Sequence, residues 1–149
     1  MNRLLIRHAK INENHPLVNS QFGAPLSEEG RAAAKILGWG LKAHDIDIEA
    51  AAVSYMTRAM DTALEMGARA IGIYPQLNEV AMDITHLTML SKNVVPPHLR
   101  GVANDILSNP PRERIIVSHG GVIALLTQEL GLQVERLVPR NLEVREVDF

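Results

Sequence analysis

Two histidines each follow a short apolar run that is typical of a buried strand. His8 comes after Leu4–Ile6 with only Arg7 between, and His119 follows Ile115–Val117 in the same way. The carboxyl ends of strands line the ligand crevice in open α/β sheets, so both imidazoles are expected to face one cleft if their strands are neighbours. Imidazole can serve there as a nucleophile or as a proton carrier near neutral pH.

A third strand end supplies another cation. Between Ser54 and Ala63 an apolar run ends and a helical pattern begins, which places Arg58 in the first helical turn. A helix N-terminus beside an arginine suits an anion, because backbone N–H groups and the guanidinium all donate hydrogen bonds. With Arg7 and the two histidines, Arg58 completes a set that could grip a phosphoryl group. The structural alternative is a surface pair with Asp61, three residues on.

Short apolar runs alternate with longer helical patterns along the chain. The predicted strands are Leu4–Ile6, Ala51–Ser54, Ile71–Tyr74, Ile115–Val117 and the tail 142–147. The predicted helices are Ser27 to about His44, Met56–Gly67, Gly121–Leu130, and one or two between Val80 and Pro111, including about His98–Leu107. The tail alternates apolar and charged residues, which favours an edge or antiparallel strand with one wet face. Strands separated by helices predict an α/β domain with a largely parallel sheet.

Composition narrows the possible functions. A length of 149 residues favours one domain over 1–149, and 46% hydrophobic residues are typical of a globular protein. The net charge of −2 gives no electrostatic case for nucleic acid or an anionic membrane as partner. With no cysteine, disulfides, thiolate chemistry and Cys-ligated metal sites are excluded. No signal peptide or membrane span is visible, so a cytoplasmic location is expected.

Six motifs in order resemble those of the histidine phosphatase superfamily, also called phosphoglycerate mutase-like. In size the chain is similar to the small phosphohistidine phosphatases of that superfamily. The motifs span almost the whole chain, and together they are far more specific than any one alone. They are Arg7-His8-Ala9; Asn14; Leu26, Ser27 and Gly30; Ser54, Arg58, Ala59, Thr62 and Ala63; Leu77 and Glu79; and Ser118-His119-Gly120-Gly121.

The resemblance implies a three-layer α/β/α sandwich, with a mostly parallel sheet and one antiparallel edge strand. It implies His8 as the nucleophile that becomes a phosphohistidine, helped by the catalytic His119. Glu79 would protonate the leaving oxygen and then activate water, although Asp83 is close enough to compete for this role. No metal or other cofactor is expected, because arginines supply the positive charge.

The resemblance also implies which residues bind the substrate's phosphate: Arg7, Asn14, Arg58 and Gly120. Asn14 could instead be a simple turn residue. Two positions depart from the family pattern. Ala9 replaces the usual glycine, which is tolerable unless the position needs a positive φ. Ile11 stands where many members have Ser or Thr near the phosphate, so one donor is lost.

The segment between Glu79 and Arg112 is expected to cover the site, and it decides between substrate classes. It carries only Lys92 and Arg100 as basic residues, too few for a bisphosphorylated or highly anionic substrate. The sequence therefore favours a phosphatase acting on a phosphorylated small molecule or a phosphoprotein. A mutase-type phosphotransferase and a catalytically weak phosphate-binding regulatory module remain as alternatives, and the oligomeric state is open.

Overall fold

A five-stranded sheet forms the centre of the computed structural model, which describes residues 1–149. The strands are β1 (Asn2–Arg7), β2 (Ala50–Val53), β3 (Ala70–Ile73), β4 (Ile115–Ser118) and β5 (Val144–Asp148). Their order across the sheet is β3-β2-β4-β1-β5. All neighbouring pairs are parallel except β1 and β5, which run antiparallel at one edge. The predicted mostly parallel sheet with one antiparallel edge strand is confirmed.

Five α-helices cover the two faces of this sheet. They are α1 (Glu28–Ala43), α2 (Thr57–Met66), α3 (Ile84–Ser91), α4 (Arg100–Ser108) and α5 (Gly120–Glu129). Short 3₁₀ helices at Pro75–Leu77 and Pro97–Leu99 precede α3 and α4. The helix predicted from about His98 begins slightly later, at Arg100, because the 3₁₀ turn comes first. None of the helices is long and apolar enough to cross a bilayer.

Alternate residues of each strand point into two separate cores, which gives the molecule its three layers. On one face, Leu5 and Ile116 pack with residues of α4 and α5. On the other face, Leu4 and Ile115 pack with residues of α1 and α2. Strand β4 is buried throughout, since it lies between β1 and β2 and is covered on both faces.

The entry to α1 follows its sequence signals, and its glycines have different roles. Ser27 caps the helix by accepting a hydrogen bond from the Gly30 N–H at 3.0 Å. Gly38 allows α1 to touch α2, because a Cβ at this position would collide with the Met66 backbone. Gly40 faces open space, so only this glycine weakens the helix without a packing benefit.

Strand β5 departs from the prediction of one wet, charged face. Arg145 and Val147 are buried, whereas Glu146 is exposed, so the arginine points inward. The Arg145 Nη1 donates to Thr127 Oγ1 at 2.8 Å and to the Leu137 carbonyl at 2.6 Å. The prediction that the charged residues of this strand face water is therefore wrong at Arg145, because the apolar alternation slips between residues 144 and 147.

Candidate active site

The carboxyl ends of β1, β4 and β2 meet at one edge of the sheet and bring the two histidines together. Strand β4 pairs with both neighbours, and Arg7 is level with Ser118 in this register. His8 and His119 follow directly, and their ring centroids lie 5.3 Å apart with the planes tilted by 57°. The topology thus places the two imidazoles next to each other at this edge of the sheet.

His8 is buried and fixed in one tautomer. Its Nδ1 lies 2.8 Å from the Ala9 carbonyl oxygen, which can only accept, so Nδ1 carries the hydrogen. Nε2 makes no hydrogen bond and keeps its lone pair. Burial is the main cause that lowers the pKa of His8 to about 4, and the charges of Arg58 and Arg7 lower it further. The ring is therefore neutral at neutral pH, more through desolvation than through the arginines.

His119 is fully buried and held by a serine. Its Nε2 lies 2.7 Å from the Ser54 hydroxyl, while its Nδ1 has no hydrogen-bond partner. The same hydroxyl oxygen accepts from the Met56 N–H at 3.2 Å, which leaves its own hydrogen free for His119. Burial lowers the pKa of His119 to about 2, helped by His8 and the arginines. Ser54 belonged to a recognised motif, but the sequence did not predict that it orients His119.

Arg7 and Arg58 both direct charge at this pair of rings. Arg7 Nη1 donates to the Pro139 carbonyl at 2.7 Å, and its buried Nε has no partner. Arg58 is half-buried in the first turn of α2 and forms no salt bridge. Asp61, the alternative surface partner, pairs with Arg31 instead, at 3.4 Å. The guanidinium of Arg58 is thus left available for a ligand.

Glu79 and Asp83, the two candidates for the general acid, lie in different surroundings. Glu79 lines the cleft and accepts hydrogen bonds from the N–H groups of Val80 at 3.0 Å and Gly121 at 3.2 Å. Burial raises its pKa, against the opposing hydrogen bonds and arginines, which favours a carboxyl that can hold a proton. Asp83 is exposed and caps α3 by accepting from the His86 N–H at 2.9 Å, which lowers its pKa. Of the two carboxyls, only Glu79 lines the cleft.

A cleft of about 250 Å³ opens beside these groups. Its polar lining comes from the end of β1, the loop before α3, the end of α3, the start of α5 and one later segment, and its apolar lining comes mostly from the α3 region. His8, His119 and Arg58 are not among the lining residues. The lining residues are Arg7, Glu79, Met82, Leu87, Leu90, Ser91, Gly120, Gly121, Arg136 and Val138. Sequence reasoning missed Arg136, because the irregular segment after α5 has no periodicity that predicts its return to the cleft. No group of three or more His, Cys, Asp or Glu side chains is arranged to hold a metal ion.

The sequence itself shows the family of the chain. The model of the histidine phosphatase superfamily (branch 1) matches residues 4–94, more than half of the 149 residues. This chain belongs to the histidine phosphatase superfamily. No curated protein matches it. The matched residues include His8, Arg58 and Glu79, whereas His119 lies beyond them and joins the site through the fold.

Solved structures share this fold over nearly the whole chain. TTHB049 from Thermus thermophilus has a TM-score of 0.69 and 22% identity, covering 100% of this chain and 94% of that chain. A phosphoglycerate mutase from the same organism has a TM-score of 0.69 and 21% identity, again covering 100% of this chain and 94% of that chain. The protein histidine phosphatase SixA, complexed with tungstate, has a TM-score of 0.66 and 18% identity, covering 99% of this chain and 88% of that chain. At these identities the likeness shows the phosphoglycerate mutase-like fold.

The two remaining residues predicted to bind phosphate are Gly120 and Asn14, and they lie in different places. Gly120 begins α5 against Arg7, since a Cβ on it would lie 3.3 Å from the Arg7 Cζ. Asn14 lies in an exposed turn, where its N–H donates to Asn12 Oδ1 at 3.2 Å and its side chain bonds to no site residue. The structure therefore brings Gly120, but not the Asn14 side chain, into contact with the site. Their roles in phosphate binding stay predictions.

The two departures from the superfamily pattern have structural explanations. Ala9 is buried and has no positive φ, so this position does not need a glycine. Its N–H donates to Thr62 Oγ1 at 3.0 Å, which fixes the backbone beside His8. Ile11 forms an isolated antiparallel bridge with Leu26 and thereby ties the loop after β1 to the entry of α1.

Proposed function

We propose that this protein is a phosphatase that hydrolyses a phosphomonoester or a protein phosphohistidine through a phosphohistidine on His8, without a metal or other cofactor. The supporting observation is the neutral, buried His8 ring with a free Nε2, which lies 5.3 Å from the His119 ring and close enough to Arg58 and Arg7 for their charges to act on it. A charged imidazole would have no lone pair to donate, so the lowered pKa of His8 matters directly. The protein is expected to act in the cytoplasm.

In the first half-reaction, Nε2 of His8 attacks phosphorus and the bond from phosphorus to the leaving oxygen breaks on the opposite side. Arg7, Arg58 and the Nδ1–H of His119 donate hydrogen bonds to the equatorial oxygens, where negative charge is spread. Protonated Glu79 gives its proton to the leaving oxygen. The Ala9 carbonyl stabilises the positive charge that develops on the His8 ring, through the hydrogen bond from Nδ1.

In the second half-reaction, water replaces the leaving group. The Glu79 carboxylate takes one proton from this water while its oxygen attacks phosphorus. The bond between phosphorus and Nε2 breaks, and the electron pair returns to a neutral His8. Inorganic phosphate then leaves, with Glu79 protonated for the next cycle.

The position of the cations supports hydrolysis over mutase chemistry. Lys92 follows the end of α3, and exposed Arg100 begins α4, so neither lines the cleft. A mutase must retain a doubly phosphorylated intermediate, which calls for several cations around the second phosphate. SixA, which has the same fold, is a protein histidine phosphatase, and this makes phosphohistidine a reasonable substrate to test.

Turnover of an aryl phosphate in excess chelator tests this proposal. His8→Ala is expected to lower kcat by on the order of 10³-fold or more, because no other group can form the covalent intermediate. His44→Ala, a change at an exposed histidine, is the matched control and should keep the wild-type rate. Equal rates for wild type and His8→Ala would refute the mechanism. Activation by a bisphosphate would favour a mutase, and phosphate binding without turnover would favour a regulatory module.

A further inference from the structure

Arg136 is an exposed arginine that lines the cleft and has no anionic partner. It belongs to the irregular segment between α5 and β5 and lines the cleft together with Arg7 and Glu79. Arg136 also lines an adjoining surface depression together with Glu135 and Glu143, but it forms no salt bridge with either glutamate. Its positive charge acts on Arg7. Burial is the main cause that lowers the pKa of Arg7, and the charge of Arg136 lowers it further. Arg136 is therefore a cation available to a ligand, outside the six motifs.

The backbone that carries Arg136 is fixed from three directions. Arg145 Nη2 donates to the Arg136 carbonyl at 2.6 Å. The next residue, Leu137, donates its N–H to Asn93 Oδ1 at 3.0 Å. Arg7 holds the Pro139 carbonyl at 2.7 Å. The backbone of Arg136 is therefore held in place beside the cleft, so its side chain starts from a fixed point, which a specificity determinant requires.

The wall around Arg136 shows what kind of leaving group fits. Met82, Leu87 and Val138 provide an apolar surface that contacts a carbon skeleton without hydrogen bonds. Arg136 adds one positive charge at this surface, and a guanidinium matches a carboxylate with two parallel hydrogen bonds. One cation balances a monoanion, whereas a second phosphate dianion would need more. The cleft therefore suits a small organic group that ends in one carboxylate.

We propose that Arg136 is a specificity-determining residue that selects phosphomonoesters whose leaving group carries a carboxylate. This inference rests on the proposed phosphatase activity for its kinetic test and on binding alone for its second test. Arg136 contacts the leaving group and takes no part in transferring the phosphoryl group.

The kinetic test compares 4-carboxyphenyl phosphate with 4-carbamoylphenyl phosphate, which has the same shape but no negative charge on the ring substituent. The corresponding 3-substituted esters form a second pair, in which the substituent lies at a different position on the ring. Wild type should show a kcat/KM about tenfold higher for the carboxylate member of at least one pair, as expected for one partly exposed charge-assisted contact. Arg136→Ala should abolish this preference, and Arg136→Lys should retain part of it. Arg140→Ala, which removes an exposed arginine of the same segment, should leave the preference unchanged.

The binding test separates this inference from the proposed function. The affinity of each ester is measured by calorimetry on His8→Asn and on His8→Asn combined with Arg136→Ala. A carboxylate preference that disappears with Arg136 supports the subsite, even if wild type hydrolyses none of the esters and the phosphatase proposal fails. Equal affinity for both members of each pair, or a preference that survives Arg136→Ala, would overturn the assignment.

Discussion

Two arginines, the half-buried Arg7 at the end of β1 and the buried Arg145 in β5, are used in opposite ways. Every nitrogen of the Arg145 guanidinium has an acceptor, including Glu143 Oε2 at 2.8 Å from Nε. Arg7 has one backbone acceptor and a buried Nε without a partner, and the Nδ1 of His119, at the end of the neighbouring strand, is likewise unpartnered. A fully bonded buried charge fixes the path of the chain, whereas donors left unpaired in one cleft are suited to bind an anion.

Arg3 shows that an unpartnered donor alone does not mark a binding site. Its buried Nε and Nη1 also have no hydrogen-bond partners. However, Arg3 lies near the start of β1, where Nη2 donates to the Pro111 carbonyl and the guanidinium lies 4.5 Å above the Phe149 ring. The candidate active site differs because two such groups, Arg7 Nε and His119 Nδ1, come from neighbouring strand ends that also carry the neutral His8 ring.

The largest effect on folding is expected where the arginine is fully bonded. Arg145→Met should lower the free energy of unfolding by about 4 kcal/mol, because it leaves the acceptors of a buried, paired arginine without a donor. Urea denaturation measures the change. Arg69→Met, at an exposed arginine, is the control and should stay within about 0.5 kcal/mol of wild type. A similarly small effect for Arg145→Met would mean that its hydrogen bonds do not hold the segment after α5.

The opposite result is expected in the candidate active site. Arg58→Ala should lower kcat/KM for an aryl phosphate by about 10²–10³-fold, since it removes a donor aimed at the transferring phosphoryl group. Stability should change little, because Arg58 forms no salt bridge. Arg31→Ala removes the partner of Asp61 and Glu65 and is the matched control, with normal turnover. Loss of stability without loss of rate in Arg58→Ala would reverse the distinction between the two regions.

Protonation provides a smaller test of the same distinction. The pKa of His8 is 6.5 when unfolded and about 4 when folded, so between these values the unfolded chain binds a proton that the folded chain does not. The stability present above pH 6.5 is therefore lost as the pH falls towards 4. Over this pH range, the free energy of unfolding of His8→Gln should fall by about 3 kcal/mol less than that of wild type. The free energy of unfolding is measured by denaturation at several pH values from 7 to 4. His44→Gln should show the same dependence on pH as wild type. The same dependence in wild type, His8→Gln and His44→Gln would contradict burial of a neutral His8.

How far the sequence predicts this molecule depends on the strength of the local signal. Strands such as Ile115–Val117 and the helix after Ser27 were predicted within one or two residues, because apolar runs and capping residues act locally. The sequence predicted the convergence of His8 and His119 only on the condition that their strands are neighbours, and the structure shows that β1 and β4 pair. Arg136 and the inward-facing Arg145 were not predicted, since both depend on tertiary hydrogen bonds in a segment without periodicity. The different surroundings of Glu79 and Asp83 were also not predicted, and only the structure shows that Asp83 caps a helix while Glu79 lines the cleft.

The most direct test of the account is the location of the transferred phosphoryl group. The protein is mixed briefly with a labelled aryl phosphate, quenched in base, digested and sequenced by tandem mass spectrometry. We expect one phosphate on the peptide that contains His8, stable in base and lost in acid, and none in His8→Ala. A phosphate on His119 or on any other residue, or turnover with a burst of product but no adduct on His8, would contradict the account.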